Sequence, residues 1–138
     1  MPQLAPYLSF DGNCAEAMRF YERVLNGKLE AMMKNSDTPA ADQLPPGNED
    51  RIMHAMLTAG ELVLMAGDAP VGQHSPMQGF TLAITYPTAA EARAVFDALS
   101  EGGRVTMPFE KTFWAEGFGM VRDRFGTPWA VNGHNLMR

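Results

Sequence analysis

The residues of this chain that are suited to acid–base or nucleophilic chemistry are few and scattered. It contains three histidines and one cysteine. His54 lies in the apolar run IMHAM, where an imidazole that changes charge near neutral pH would serve as a base in a pocket. A core histidine satisfied by a backbone carbonyl fits the same pattern, so both interpretations stay open. His74, in the loop GQHSP, and His134, near the C-terminus, are expected to be exposed.

Cys14 falls at the first turn of a predicted helix, where the helix dipole is able to lower the pKa of a thiol. No histidine is near it in sequence, and small buried cysteines are common, so burial is the competing interpretation. A single cysteine forms no internal disulfide, which fits a reducing cytoplasm. A metal site built from His54, Glu61, Glu116 and Asp123 is conceivable, but their spacing does not require one.

Aromatic residues, glycines and charges are most concentrated in the segment EKTFWAEGFGMVRDRFGTPWAVN, from Glu110 to Asn132. Phe113, Trp114 and Phe118 stand beside two glycines, which allow a backbone or a ligand to approach closely. Aromatic residues on a loop and a strand start are typical of a lid or wall for an apolar or planar ligand. Packing against a partner chain is the alternative.

We therefore predict a pocket walled by Trp114, Phe118, Met120 and His54 that takes a small, partly apolar molecule. The 11 methionines suit an adaptable apolar cavity, although most are expected to be ordinary packing residues. Asp123 precedes Arg-Phe-Gly and is interpreted as a hairpin-turn residue rather than a catalytic one.

The helices that must position these residues belong to two copies of one pattern. The segment SFDGNCAEAM from Ser9 aligns with ITYPTAAEAR from Ile84, and each copy continues as an amphipathic helix with an apolar stripe. Each helix is predicted to begin with a capping box, Asn13 with Glu16 in the first copy and Thr88 with Glu91 in the second. Each is predicted to end at a glycine in the left-handed conformation, Gly27 and Gly102.

Strands precede and follow each helix, so each copy is predicted to be β-α-β-β-β, and the fold class is α+β. The modules are assigned to residues 1–70 and 71–138. The segment Asn35–Asp50 is rich in Pro, Asp and Asn, and its apolar residues follow neither a helix nor a strand period. It is predicted to be a mobile loop able to cover the pocket. The predicted strands are Tyr7–Phe10, Lys28–Lys34, Ile52–Thr58 and Leu62–Met65, then Phe80–Tyr86, Arg104–Phe109, Gly117–Arg122 and Pro128–Asn132.

Composition bounds the class of protein. With 138 residues, of which 46% are hydrophobic, the chain is long enough for one compact domain made of two half-domains. No apolar run approaches the roughly 20 residues of a membrane span, and no signal peptide is recognisable. The net charge of -5 is spread out, with no basic cluster for nucleic acid. We expect a cytoplasmic protein that binds neither nucleic acid nor membrane.

The sequence closely resembles the PhnB-like branch of the vicinal oxygen chelate superfamily, which includes glyoxalase I, bleomycin-resistance proteins and extradiol dioxygenases. The resemblance rests on PYLSFDGNCAEAMRFYERVLNGK, MHAMLTAGELVLMAGD and MPFEKTFWAEGFGMVRDRFGTPWAVN, which together cover nearly the whole chain. It implies a cup-shaped mixed sheet that holds the ligand and is completed by a second chain. A homodimer is also expected because short sheets with uncovered edges tend to pair.

The resemblance also implies where a metal would be held, at the first and last strands of each module. These positions fall on Pro6 and Thr81, and near Met65 and Ala130, and none of these side chains is a ligand for zinc, nickel, iron or manganese. We expect no metal at this position and no cofactor, since a glycine-rich strand-to-helix turn for a nucleotide is also missing. If Ala130 faces the cup, alternation turns Trp129 into the core.

Three functions remain open. The first is a metal-independent protein that binds a small molecule and resembles the bleomycin-resistance members. The second is an enzyme of isomerase, lyase or dioxygenase type that uses either His54 or an unusual metal site. The third is a structural dimeric module. The missing metal ligands favour the first, although a fold by itself does not establish function.

Overall fold

The first half of the chain forms four strands and one helix. The structure is a computed structural model that describes residues 2–137, with only the backbone of Ala40 and Ala41, and the chain divides into two units between Ser75 and Pro76. The sheet of the first unit has the order β1-β4-β3-β2, with β1 parallel to β4 and the other pairs antiparallel. Its elements are β1 (Tyr7–Phe10), α1 (Cys14–Val24), β2 (Lys28–Lys34), β3 (Ile52–Ala59) and β4 (Leu62–Asp68).

The second unit repeats this topology, with the strand order β5-β8-β7-β6 and β5 parallel to β8. The prediction of an α+β fold with two tandem β-α-β-β-β modules is therefore confirmed. The elements of the second unit are β5 (Leu82–Tyr86), α2 (Ala89–Ser100), β6 (Arg104–Glu110), β7 (Ala115–Arg122) and β8 (Pro128–Asn135).

Several strand bounds differ from the prediction: β5 begins at Leu82 rather than Phe80, β7 begins at Ala115 rather than Gly117, and pairing extends β4 and β8 by three residues each. β4 runs on to Asp68 because its last four residues pair with β1. β8 runs on to Asn135 because it is held by β5 on one side and β7 on the other. The extension of β8 places the polar residue Asn132 inside the strand rather than at its end.

One face of each sheet is covered by the helix of its own unit and forms the core. In the first sheet Leu8, Leu57 and Ala66 lie on this face and are buried. In the second sheet Val121, Trp129 and Val131 lie on it, and Trp129 is only 3% exposed, which confirms its predicted place in the core. Burying such a side chain contributes about 1.5–3 kcal/mol. We call the opposite side of each sheet its helix-free face.

The two helices begin in different ways. The predicted cap of α2 is confirmed, since the Thr88 hydroxyl oxygen accepts a hydrogen bond from the Glu91 amide at 3.1 Å. The predicted box of Asn13 with Glu16 at α1 is wrong, because the Asn13 side chain makes no capping bond. Asp68, at the end of β4, supplies the cap instead: its Oδ1 accepts from Gly12 N at 2.8 Å and from Cys14 N at 3.0 Å.

The helix ends also differ. Gly102 has a φ of 71°, as predicted for a left-handed cap. The prediction for Gly27 is wrong, because Asn26, with a φ of 53°, takes the left-handed conformation there. Gly27 is required for space, since an added Cβ would lie 2.6 Å from the carbonyl oxygen of Thr58.

The segment Asn35–Asp50 contains two short 3-10 helices, and its ends are tied down. Asn35 and Asn48 are buried, and the Asn35 side-chain amide donates to the Asn48 carbonyl at 2.8 Å. The Asn48 Oδ1 in turn accepts from Val71 N at 2.9 Å. The two asparagines thus anchor the segment near both ends, and its mobility remains a prediction.

None of the helices within residues 2–137 has the length and apolar character needed to cross a membrane.

Candidate functional site

The helix-free face of the first sheet is formed by Tyr7, Met65 and Met56, which lie directly opposite one another on β1, β4 and β3. The Tyr7 hydroxyl donates to the carbonyl oxygen of Met53 at 3.1 Å, so the ring lies across the sheet. This position depends on Gly67, because an added Cβ there would be 2.7 Å from the Tyr7 hydroxyl.

His54 lies on the same face, beside Tyr7 and opposite Met33 on β2. Its ring stacks on Tyr7 with centroids 6.0 Å apart and planes inclined by 28°. Within residues 2–137 its ring nitrogens have no hydrogen-bond partner, so the interpretation as a core histidine satisfied by a carbonyl is wrong. The half-buried imidazole keeps a donor and an acceptor for a bound molecule.

A groove of about 570 Å³ runs along this face at the end near the β3–β4 turn. Its volume is within the range of small-molecule sites. Met56, Thr58, Val63 and Met65 line it from the strands, and the segment before β1, residues 3–5, forms a further wall. The sequence pattern had not indicated that this N-terminal segment takes part.

The helix-free face of the second sheet begins with three aromatic rings in contact. Trp114 meets Phe113 edge-on at 4.9 Å and Phe118 edge-on at 5.1 Å. Phe113 is 79% exposed, whereas Trp114 and Phe118 are half-buried. None of the three belongs to the helix-covered core.

Glycines on β7 explain why Phe118 is displayed on this face. Gly117 and Gly119 point toward α2, and an added Cβ at Gly119 would lie 2.6 Å from the Phe96 ring. Phe109 also fills the space left by both glycines. The side chain of Phe118, which lies between the two glycines, consequently points to the opposite side.

Two rows of side chains cross the helix-free face of the second sheet. In one, Met120 stands between Met107 on β6 and Ala130 on β8. In the next, Asn132 lies opposite Phe118. Met107 is 41% exposed and Met120 half-buried, so the first row forms an apolar floor.

Asn132 is a site residue that the sequence pattern did not single out. Its Oδ1 is buried and has no hydrogen-bond partner within residues 2–137. A buried acceptor left without a partner costs about 1–3 kcal/mol, so such a group calls for an explanation. A donor supplied by a bound molecule would satisfy it. The sequence feature that could have indicated Asn132 is its polar amide side chain among the apolar residues of a predicted strand.

The predicted pocket residues therefore fall in both units. Trp114, Phe118 and Met120 share the helix-free face of the second sheet, and His54 lies on that of the first. That all four wall one pocket stays a prediction.

Cys14 is not a nucleophile. It is fully buried, and burial raises the pKa of its thiol to about 12, with the nearby Asp68 carboxylate adding to the effect. Burial outweighs the helix dipole here because water is excluded from the thiolate.

Asp123 is explained by turn geometry, as predicted. It is buried, its Oδ1 accepts from the amides of Phe125 and Thr127 at 2.8 and 3.1 Å, and its Oδ2 accepts from the Trp129 indole at 2.9 Å. The carboxylate thus holds the β7–β8 hairpin to the core.

The remaining histidines have different environments. His134 is exposed, as predicted, with its Nε2 4.0 Å from the Glu116 carboxylate. The same prediction is wrong for His74, which is half-buried and whose Nδ1 is buried without a partner within residues 2–137.

Comparisons with known proteins agree with this geometry. Residues 3–131 match the sequence model of the glyoxalase/bleomycin resistance protein/dioxygenase superfamily. The chain belongs to that superfamily. It is 37% identical to protein YjdN of Escherichia coli (strain K12) over 138 residues, covering 94% of this chain and 93% of that one.

Solved structures of relatives are also similar. Protein PA1353 from Pseudomonas aeruginosa superimposes with a TM-score of 0.89 at 44% identity, covering 97% of this chain and 98% of that one. A protein from Bacillus cereus described as a putative 3-demethylubiquinone-9 3-methyltransferase, PhnB protein, has a TM-score of 0.80 at 25% identity, covering 96% and 99%. PhnB-like proteins are thus among its structural neighbours.

The residues at the superfamily's usual metal position do not fit a metal. The burial pattern of β1 matches that of β5 when Tyr7 and Ser9, which are exposed, are aligned with Ala83 and Thr85, which are also exposed. In this alignment Thr81 is not the structural equivalent of Pro6. The helix-free pairs are then Tyr7 with Met65 and Ala83 with Ala130. The only oxygen donor among these side chains is the Tyr7 hydroxyl, which is already bound to a carbonyl. Within neither unit do three His, Cys, Asp or Glu residues of the described chain come together.

Proposed function

We propose that this protein binds a small, partly apolar molecule without a metal at the superfamily's usual position. The observation that carries the proposal is the helix-free face of the second sheet. There Phe118, in ring contact with Trp114, lies opposite Asn132, whose Oδ1 is buried and has no hydrogen-bond partner within residues 2–137. Aromatic walls with one or two well-placed polar groups are characteristic of ligand sites.

The composition of this face also indicates what kind of molecule it would take. Trp114 and Phe118 present ring faces and edges to a planar body, and Met107 and Met120 adapt to its outline. Asn132 Oδ1 accepts a hydrogen bond from a hydroxyl or N–H of that body.

The site is proposed to be completed in a homodimer in the cytoplasm. Each sheet ends in edge strands, β1 and β2 in the first unit and β5 and β6 in the second. Leu4 and Leu62, in the first unit, are exposed large apolar residues, and such side chains with uncovered edges favour association. Light scattering at micromolar concentration should give a mass twice the 15.1 kDa of the chain. A species of 15.1 kDa alone would contradict the dimer.

An enzymatic function is the second candidate, and His54 is the observation that favours it. The half-buried imidazole of His54 is stacked on Tyr7, has no hydrogen-bond partner within residues 2–137, and is placed to exchange a proton with a bound molecule. In that case His54→Gln would abolish turnover but preserve binding of the same compound.

A small-molecule screen read by tryptophan fluorescence and thermal shift tests the binding function. Hits should bind the wild type and lose affinity in Phe118→Ala. Val105→Ala is the matched control, because Val105 is 44% exposed but pairs with Val121 on the helix-covered side.

Elemental analysis of protein purified without an affinity tag provides the second test. Near-stoichiometric nickel, zinc, iron or manganese would overturn the metal-independent function. So would a screen in which no compound distinguishes Phe118→Ala from the wild type.

A further inference from the structure

Two arginines lie directly opposite each other on the helix-free face of the second sheet. Arg104 on β6 pairs with Arg122 on β7, in the row adjoining the Met107–Met120 row. Like charges at directly opposed strand positions repel each other and destabilise the pair. A bound anion between the two arginines would offset this repulsion.

Within residues 2–137, no carboxylate lies against either arginine. The chain has 16 acidic residues against 11 Lys and Arg, so carboxylates are plentiful. Yet no carboxylate of residues 2–137 forms an ion pair with Arg104 or Arg122. The neighbouring Asp123 directs its oxygens to the turn amides and the Trp129 indole.

The Arg122 guanidinium is held in place by backbone carbonyls. Its Nη1 donates to Met77 O at 3.1 Å and to Gly126 O at 2.5 Å, and the side chain is half-buried. Within residues 2–137 the Nε–H and Nη2–H donors have no acceptor. That edge of a guanidinium is the one that binds two oxygens of an anion side by side.

The arginines continue the apolar floor already described. Arg122 and Met120 are two residues apart on β7 and therefore point to the same side. Pro128, opposite Arg122, is four residues from Asn132 along β8, a distance of about 13 Å. The face thus has cations at one end and methionines in the middle, and its last row holds Phe118 between Glu110 on β6 and Asn132 on β8.

We propose that the bound molecule is an organic anion with an apolar or aromatic body, and that Arg122 together with Arg104 binds its acidic group. The inference rests on the proposed binding function and names the chemical class of its ligand. Carboxylates, sulfonates and phosphates share the oxygens that a fixed guanidinium recognises.

A pair of fluorescent probes tests this inference separately from the binding function. The anion 8-anilino-1-naphthalenesulfonate and the neutral N-phenyl-1-naphthylamine share a ring system and differ by the sulfonate. Both are expected to bind the folded wild type, and both should weaken in Phe118→Ala. Only the sulfonate should weaken in Arg122→Gln, by about tenfold to a hundredfold, as expected for losing charge-assisted hydrogen bonds.

Two further variants keep the test decisive. Arg104→Gln removes an exposed arginine with no side-chain bond to lose, so it should fold normally and weaken the sulfonate alone, which covers the case in which Arg122→Gln does not fold. Arg19→Gln makes the same change of net charge on α1, in the other unit, and should leave both probes unaffected.

The outcomes separate the two ideas. If the neutral probe binds through Phe118 but the sulfonate gains nothing from Arg104 or Arg122, the anion assignment is overturned and the binding function stands. If neither probe binds the folded protein, both are overturned. Equal losses in Arg19→Gln and Arg122→Gln would reduce the effect to net charge and also overturn the assignment.

Discussion

Replacing Trp114 by alanine separates a binding residue from a core residue. Trp114 is half-buried, and the contacts that hold its ring are edge-on to Phe113 and Phe118. Each such pair contributes about 0.5–1.5 kcal/mol, so Trp114→Ala should lower the free energy of unfolding by about 1–3 kcal/mol. Affinity for a ligand that covers the ring should fall by a similar 1–3 kcal/mol, the value for burying a large side chain.

Trp129 is the matched control, since it is the other tryptophan and lies in the same unit. It is 3% exposed, and its indole donates to Asp123 at 2.9 Å. Trp129→Ala should therefore cost about 3–5 kcal/mol for the lost packing, with a further cost for the unpaired carboxylate.

Urea unfolding followed by far-UV circular dichroism, at one protein concentration, measures both changes. The single-tryptophan variants Trp114→Phe and Trp129→Phe then assign the fluorescence response to one indole. A compound that binds the helix-free face should perturb the emission of Trp114 and leave that of Trp129 unchanged. The reasoning is refuted if Trp114→Ala destabilises as strongly as Trp129→Ala while binding is unaffected.

Two further predictions concern the start of α1. Cys14, whose thiol pKa is raised to about 12, should not react with a disulfide reagent at pH 8 until the protein is unfolded. Because the native state keeps a thiol proton that the unfolded chain loses, the free energy of unfolding should fall as the pH rises from about 9 toward 12. Cys14→Ser should make this fall less steep, and an unchanged slope would contradict the assignment. Asp68→Ala should lower the free energy of unfolding by about 3 kcal/mol, because the amides of Gly12, Cys14 and Ile52 lose their acceptor. Asp11→Ala, which removes a partly exposed ion pair with Arg51, should cost less than about 1 kcal/mol, and equal losses in urea unfolding would argue against the capping role.

Local patterns predicted the elements because they are set by neighbouring residues. Strand starts such as Tyr7 and Lys28, and the cap at Thr88, depend on residues within a few positions of each other. The cap of α1 could not be predicted in this way, because Asp68 comes from another strand far along the chain. A tertiary contact replaced the local one, so the Asn13 side chain makes no capping bond.

The candidate site was predicted in part for the same reason. Trp114 and Phe118 stand out by residue type alone. Asn132 and Arg122 do not stand out, because their importance lies in their surroundings. Within residues 2–137 the buried Asn132 Oδ1 has no donor, and the Arg122 guanidinium is held by carbonyls with no carboxylate beside it. Sequence spacing cannot reveal a missing partner, whereas a folded structure does.

The two modules share a topology but differ by one residue where the first strand meets the helix. Three residues separate β1 from α1, and two separate β5 from α2. The alignment that matches the helices places Tyr7 on Leu82, whereas the structure matches it to Ala83. Because side chains alternate between the two faces of a sheet, this shift of one residue exchanges the faces.

This difference makes the helix-free faces unequal. In the first sheet the position holds the Tyr7 ring, which crosses the face and is tied to the Met53 carbonyl. In the second sheet it holds Ala83, paired with Ala130, and two small side chains leave space above the Met120 row. This inequality supports our proposal that the second sheet forms the floor for the apolar body of a ligand. On the first sheet the Tyr7 and His54 rings stack on each other and occupy part of the face beside the methionine-lined groove.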